Sequence, residues 1–325
     1  MIRQKGLALV LVLWVLSLLT IMAGSFALSM RREASITAGI KNNAQAMAVA
    51  ESGIALAEMM LQNPDPDKRW RTDGSIYEII ATDAKVRVRL LAEAGKIDIN
   101  KADQALLEGL MIYAPVDAEQ KLRLVSAILD WRDADDLVHI NGAEKKEYQD
   151  AGLSYQPANK PFQSIEELQM VLGMNKSVFL QLEPLITVYS GQPHVTMQLA
   201  AKEVLQLILG LDTDQVDSYI ASRLNSAINN LPVPTSPSSA GQNNAAGQNN
   251  VLTLISEAQL DNESRAVISA VIKPSDNTEA QNSISPQALF QVLKWQLATA
   301  NDLSLFTGAM NELLVKQYAE PELNN

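Results

Sequence analysis

The chain has 325 residues, no cysteine, and 37 Asp and Glu against 26 Lys and Arg, a formal charge of −11. Zero cysteines excludes a disulfide scaffold and cysteine-based zinc or redox chemistry, and leaves an oxidising compartment open. The acidic balance argues against a nucleic-acid partner, since phosphate binding draws on clustered Lys and Arg, and it is compatible with calcium.

Residues 1–6 form a short basic leader with Arg3 and Lys5, followed by LALVLVLWVLSLLTIMAGSFALSM, uncharged until Arg31. A secretory signal peptide is cut after its apolar stretch. Here the small residue lies before that stretch, which points to cleavage between Gly6 and Leu7 and leaves the apolar helix in the mature chain. Residues 7–30, about 24 in number, rise roughly 1.5 Å each and can cross a hydrocarbon layer of about 30 Å with some tilt. Ser25-Phe26-Ala27 also has the form of a conventional signal-peptidase site, so an exported soluble protein and a plain signal anchor are alternatives. The stem over residues 31–62 weighs against both. Ile36, Ile40, Ala44, Met47, Ala48, Ile54, Leu56, Met59 and Met60 largely keep a helical repeat, with Lys41, Glu51 and Glu58 between them. Asn63-Pro64-Asp65-Pro66 then ends the helix, because proline lacks the N–H donor and clashes with the preceding turn. Leader, span and continuing stem together resemble the type IV prepilin and pseudopilin class. The resemblance implies a prepilin peptidase that cuts after Gly6 and methylates Leu7. That class usually carries Glu at the fifth mature position, where this chain has Leu11. A carboxylate in an apolar bundle needs a partner, in these filaments the amine of a neighbouring subunit, so Leu11 suits a filament end rather than its shaft.

Residues 63–96 open a sheet-bearing domain, in which Lys85–Leu91 alternates apolar with charged residues as a half-buried strand does. Residues 97–185 change character: ADQALLEGLMIYA, DAEQKLRLVSAILDWRDA and SIEELQMVLGMNKSVFLQLEPL read as short amphipathic helices inserted into that domain. Leu185–Tyr189 reads as the chain returning to the sheet. Within the insert, Asp130-Trp131-Arg132-Asp133-Ala134-Asp135-Asp136 and then Asn141-Gly142-Ala143-Glu144 supply oxygen ligands at alternating positions, a turn glycine and a later Glu. A hard cation such as calcium needs this chemistry, six to eight oxygens at roughly 2.3–2.6 Å. The spacing is not that of an EF-hand. A solvated acidic helix end, with Asp residues capping neighbours, accounts for the same residues. A catalytic carboxylate pair lacks a convergent base, as the chain's histidines are His139 and His194.

WRDADD, NGAE, Tyr148 and YQPANKPFQSIEELQMVLGM at 155–174 are similar to the minor pseudopilin K (GspK) family of type II secretion systems, and the resemblance extends over about residues 1–230. It implies an α+β, pilin-like fold with a long N-terminal helix on an antiparallel sheet, and an inserted all-helical domain of SAM or helix-hairpin-helix type. It implies calcium in that insert on Asp133, Asp135, Asp136 and Glu144, with backbone carbonyls completing the shell. Lys145 and Lys146 stand where the family often continues with Asp, which sets this chain apart at a second adjacent ion. The implied protein is not an enzyme and has no catalytic residue. It sits in the inner membrane of a Gram-negative bacterium by one span, with its body in the periplasm. Its partners would be the minor pseudopilins I and J in a tip complex, the pseudopilus shaft and the prepilin peptidase, in support of export of folded proteins across the outer membrane. A membrane-anchored or exported calcium-dependent hydrolase is the rival reading.

IDINKADQALLEGLM also has the look of a helix-hairpin-helix segment of DNA-binding proteins, and SIEELQMVLGM could be a second copy. Residues 93–190 carry 16 acidic against 9 basic side chains, so phosphate binding would work against repulsion and no nucleic acid is expected. A weak internal similarity lays His194–Leu205 on Lys96–Leu107, with Ala200 over Ala102 and Leu205 over Leu107. Residues 186–325 should complete the pilin-like domain. Residues 231–250, rich in Pro, Ser, Gly, Gln and Asn with a repeated AGQNN, read as a flexible loop. Val251–Ile255 and Arg265–Ile272 read as strands and ALFQVLKWQL as a further apolar segment, with Trp295 and Phe306 assigned to the core. Ala44, Ala46, Ala48 and Ala50 are expected to let partner stems approach closely.

Overall fold

In the computed structural model the described residues are 7–209, 212–236, 251–275, 289–298 and 304–319. The leader with Gly6, and residues 237–250 of the expected loop, lie outside them. Helix α1 (Leu7–Leu61) is continuous for 55 residues. It is long and apolar enough over its first half to cross a membrane. Leu9 to Met30 are exposed along it, and burial begins only in the last third. There Ala46, Ala50, Gly53, Ile54, Ala57 and Met60 recur at helical spacing and face the sheet.

The main sheet has six strands in the order β7-β6-β5-β2-β1-β8, with β1 (Asp73–Ile80), β2 (Ala84–Ala92), β5 (Leu252–Leu260), β6 (Arg265–Pro274), β7 (Phe290–Ala298) and β8 (Leu314–Ala319). All neighbours are antiparallel except β1 and β8, which run parallel. Helix α1 lies across β5, β6 and β2. This is the α+β arrangement expected, a long helix packed on a mostly antiparallel sheet. Strands β3 (Ile97–Asp98) and β4 (Ile186–Thr187) form a separate parallel pair. Leu185–Tyr189 therefore does not rejoin the main sheet as expected; it closes the two ends of the 97–185 segment on each other.

Between these ends run α2 (Gln104–Leu110), α3 (Ala118–Arg132), α4 (Lys145–Asp150) and α5 (Lys176–Leu182), with a 3-10 turn at Ile165–Met170. Asp103, Asp117 and Asn175 cap α2, α3 and α5 by accepting from the third N–H of each. The helical core does not stop at Leu185. Ala200, Val204, Leu205, Val216 and Tyr219 belong to it, Ala200 just ahead of α6 (Lys202–Leu209) and the others on α6 and α7 (Thr213–Ile228). The internal similarity explains the extension: α2–α3 and α6–α7 are two helix pairs in contact, and Ala102, Leu107, Ala200 and Leu205 are the matched, fully buried positions. Part of 186–325 thus packs as helix, not as sheet.

Two further expectations are corrected. Ala46 and Ala50 are fully buried against the chain's own sheet, so of the four stem alanines only Ala44 and Ala48 face outward. Trp295 is exposed on edge strand β7, while Phe306 lies half-buried under the Arg87 guanidinium, 4.4 Å away.

The tightest contact between α1 and the sheet is at Gly53. A Cβ there would sit 2.8 Å from Val86 Cγ1 and closer still to Ser256 Oγ, a buried hydroxyl without a hydrogen-bond partner. Gly53→Ala should destabilise the fold by about 1–3 kcal/mol through overpacking. Ser256→Ala alone should be near neutral, because it removes an unsatisfied group. Combined, the two should cost less than their sum, measured as midpoints of thermal unfolding in detergent. Additive effects would mean that the helix does not rest on Ser256.

Candidate metal centre

Helix α3 ends in Asp130-Trp131-Arg132, and its last turn fixes the site. Asp130 is fully buried. Its Oδ1 accepts from the His139 N–H at 3.1 Å and contacts His139 Nδ1, and its Oδ2 accepts from the Ala143 N–H at 2.6 Å. One carboxylate thereby folds the 133–143 segment back over the helix end. Ser126 Oγ donates to the Ile140 carbonyl at 2.8 Å, and the Gly142 N–H donates to the His139 carbonyl at 2.8 Å. Gly142 is required by space: a Cβ would lie 2.9 Å from Asp130 Cγ and nearer to its Oδ2. Arg132 turns away and donates to the carbonyls of Ile99 and Ala102.

The return of the chain sets Glu144 over the same ground. It is 5% exposed and stands at the N-cap of α4 in a capping box with Glu147, yet neither of its carboxylate oxygens makes a hydrogen bond of good geometry. Burial, then the charges of Asp130, Asp133, Asp136 and Asp135, push its carboxyl up to about 7. Asp133 is raised as well, by burial and by Asp135 and Asp130, with one buried oxygen unpartnered. Asp135 Oδ1 accepts from the Leu137 N–H at 2.9 Å. Asn159, with φ at +48°, donates to the Asp135 carbonyl at 3.0 Å and to Asp136 Oδ1 at 2.8 Å, and its own buried Oδ1 has no partner.

The four residues expected as ligands, Asp133, Asp135, Asp136 and Glu144, are thus brought into one electrostatic neighbourhood. Three further residues stand beside them in the structure. Asp130, Asp133 and His139 have side-chain ligand atoms within 4.8 Å of one another, although both Asp130 oxygens already accept hydrogen bonds, and Asn159, which donates to Asp135 and Asp136, keeps an unpartnered oxygen. The signal for Asn159 was present in YQPANKPF, where it stands two residues before Pro161. Orphaned oxygens on Asp133, Glu144 and Asn159, with no donor to satisfy them, fit a hard cation bound by oxygen. Beneath them Trp131, Tyr148 and Phe162 form an aromatic floor: Trp131 and Phe162 stack at 6.0 Å, and the Tyr148 hydroxyl accepts from the Leu172 N–H at 2.9 Å. Asn100 holds Phe162 from both sides, accepting from its N–H at 2.7 Å and donating to its carbonyl at 2.9 Å.

Residues 84–191 match the family described as type II secretion system (T2SS), protein K. The type II secretion system protein K of Klebsiella pneumoniae is 28% identical over 204 residues, 57% of this chain and 62% of that protein. That of Aeromonas hydrophila is 27% identical over 254 residues, 68% of this chain and 75% of the relative. The chain thus spans less than two thirds of the Klebsiella protein. A solved structure, the GspK-GspI-GspJ complex of the enterotoxigenic Escherichia coli type 2 secretion system, aligns with 83% of this chain and 99% of its own at 15% identity and a TM-score of 0.49. The resemblance to the protein K family is shown over residues 84–191, which include the acidic loop and all four expected ligands.

Without metal, Glu144 is the group most at odds with its surroundings. Its folded pKa of about 7 lies above the ordinary 4.5. The folded state therefore holds the proton more tightly than the unfolded chain, and stability falls as pH rises from about 4.5 to about 7. In EGTA, Glu144→Gln should remove that part of the pH dependence and raise the unfolding midpoint above pH 7. A variant less stable than its parent at pH 8 in EGTA would show that the Glu144 charge is already compensated.

Proposed function

We propose that this chain is a minor pseudopilin of a type II secretion system, placed at the tip of the periplasmic pseudopilus, where it supports export of folded proteins across the outer membrane. The carrying observation is α1. Its first half is apolar, exposed and long enough to span a membrane, and its last third is locked to the sheet by small residues. Such a helix is an anchor and a packing rod in one piece. Ile36, Ile40, Ala44, Ala48 and Met59 remain exposed along the stem and supply a surface for partner stems. The match of residues 84–191 to protein K supports the same reading.

In this reading the prepilin peptidase cuts between Gly6 and Leu7 and Leu7 becomes the methylated first residue. The chain is held in the inner membrane of a Gram-negative cell with its body in the periplasm, and its partners are minor pseudopilins of the I and J types and the pseudopilus shaft. Leu11 lacks the carboxylate that would bond to a following subunit's amine, which is no defect at an end. No side chain is assigned to catalysis; the work is recognition. Asp133, Asp135, Asp136 and Glu144 hold calcium, with Asn159 as a further oxygen, and the ion relieves the repulsion among them and stiffens the insert.

Two measurements test this. Mass spectrometry of the mature protein should find an N-methylated Leu7 as first residue; Leu28 in that position would support an exported soluble protein instead. Calcium should raise the thermal midpoint of the protein, and Asp133→Ala with Asp135→Ala should abolish the increase. A midpoint indifferent to calcium in the unmutated chain would remove the metal from the account.

A further inference from the structure

The segment that Asp130 folds back carries Leu137, Val138 and Ile140, which are 76%, 53% and 89% exposed. Singly exposed aliphatic residues are ordinary, but three within four positions of one loop are not. This loop is held in shape rather than loose. Its backbone is tied at Leu137 to Asp135, at His139 to Asp130, at Ile140 to Ser126 and at Ala143 to Asp130, and the His139 ring, itself partly exposed, contacts Asp130 through Nδ1. The ties leave the aliphatic side chains pointing outward from a fixed frame.

Two features select the kind of surface they meet. Protein interfaces concentrate their binding energy in Trp, Tyr and Arg, whereas Leu and Val are under-represented there, and the apolar groups this loop exposes are all aliphatic, with no Trp, Tyr or Arg among its exposed residues. The carboxylates directly behind it, with Asp135 and Asp136 exposed, repel an anionic bilayer until a cation offsets them. Stable membrane contact takes an apolar and an electrostatic element together, and both are present within twelve residues.

We infer that Leu137, Val138 and Ile140 are a calcium-gated contact for a phospholipid surface. With calcium on the carboxylates behind them, the three side chains enter the boundary between headgroups and acyl chains, and lipid phosphate meets the cation side of the loop. This rests on the calcium reading given above.

The test uses the full chain held in nanodiscs through α1, with a small environment-sensitive dye on Val138→Cys, unique because the chain has no other cysteine. Vesicles of phosphatidylcholine and phosphatidylglycerol carrying a brominated quencher lipid are added in calcium or in EGTA. In calcium the dye should shift to the blue and be quenched by the lipid, and EGTA should reverse both. With Leu137→Ser and Ile140→Ser, about tenfold more lipid or beyond should be needed, as expected for losing the burial of large aliphatic groups. A dye that stays in water, a response equal in EGTA, or a blue shift produced by partner subunits without lipid quenching would each overturn the inference, the last assigning the loop to a protein contact. The thermal midpoint of the same samples separates the causes of failure. If calcium raises it and the dye does not move, the lipid contact alone is wrong; if calcium leaves it unchanged, the metal reading fails and takes this one with it.

Discussion

The structure of the insert depends on one buried carboxylate. Asp130 accepts from the N–H groups of His139 and Ala143, so the acidic segment following α3 must turn back over the helix end rather than continue into solvent. Once that turn is made, Glu144 has no route to water: it arrives buried, beside Asp133 and facing four aspartates. Hydrogen bonds satisfy Asp130 and thereby create the electrostatic conflict at Glu144. A cation resolves such a conflict without rearrangement, since it replaces missing donors for several oxygens at once.

The aromatic residues of the same region have a different job. Trp131, Tyr148 and Phe162 are fully or almost fully buried, and their rings pack on one another. They set the distance between α3, α4 and the 155–162 segment, and so decide whether Asn159 can reach Asp135 and Asp136. A motif such as WRDADD with a later YQPANKPF therefore mixes two kinds of residue. Its polar members face the site and its aromatic members hold the floor beneath it, with Asn100 fastening Phe162 from a third segment.

Much of this was legible in the chain. The span, the stem and its stop at Pro64 follow from the absence of charge and from proline's missing donor, and strands β2, β5 and β6 follow from apolar patterning. The acidic cluster was legible as residue types and spacings with Asp130 outside the expected ligands, but only the fold shows that the Asp130 oxygens are taken by the His139 and Ala143 N–H groups. Helices α6 and α7 were assigned with the sheet domain, since nothing local says which core an amphipathic helix joins; the faint echo of residues 96–107 was the available clue. The stem alanines failed for a related reason. A small residue permits close approach, and the sequence does not say whether the approaching partner is another chain or, as for Ala46 and Ala50, the molecule's own sheet.

These parts are mechanically joined. Arg223 of α7 donates to the Ala200 carbonyl at 2.6 Å and to the Asp73 carbonyl of β1 at 2.5 Å, which ties the second helix pair to the sheet. Glu93, buried after β2, accepts from Thr253 Oγ1 and Lys96 Nζ, each at 2.6 Å, at the point where the chain leaves the sheet for the helices. Lys294 of β7 pairs with Glu166 across the same junction. Helix α1 is seated on the sheet at Gly53, where Ser256 leaves no room for a side chain. An order imposed on the acidic loop is therefore passed to a helical core, from there through buried arginine and glutamate contacts to the strands, and from the strands to the stem. A body built this way couples the position of each part to that of the next.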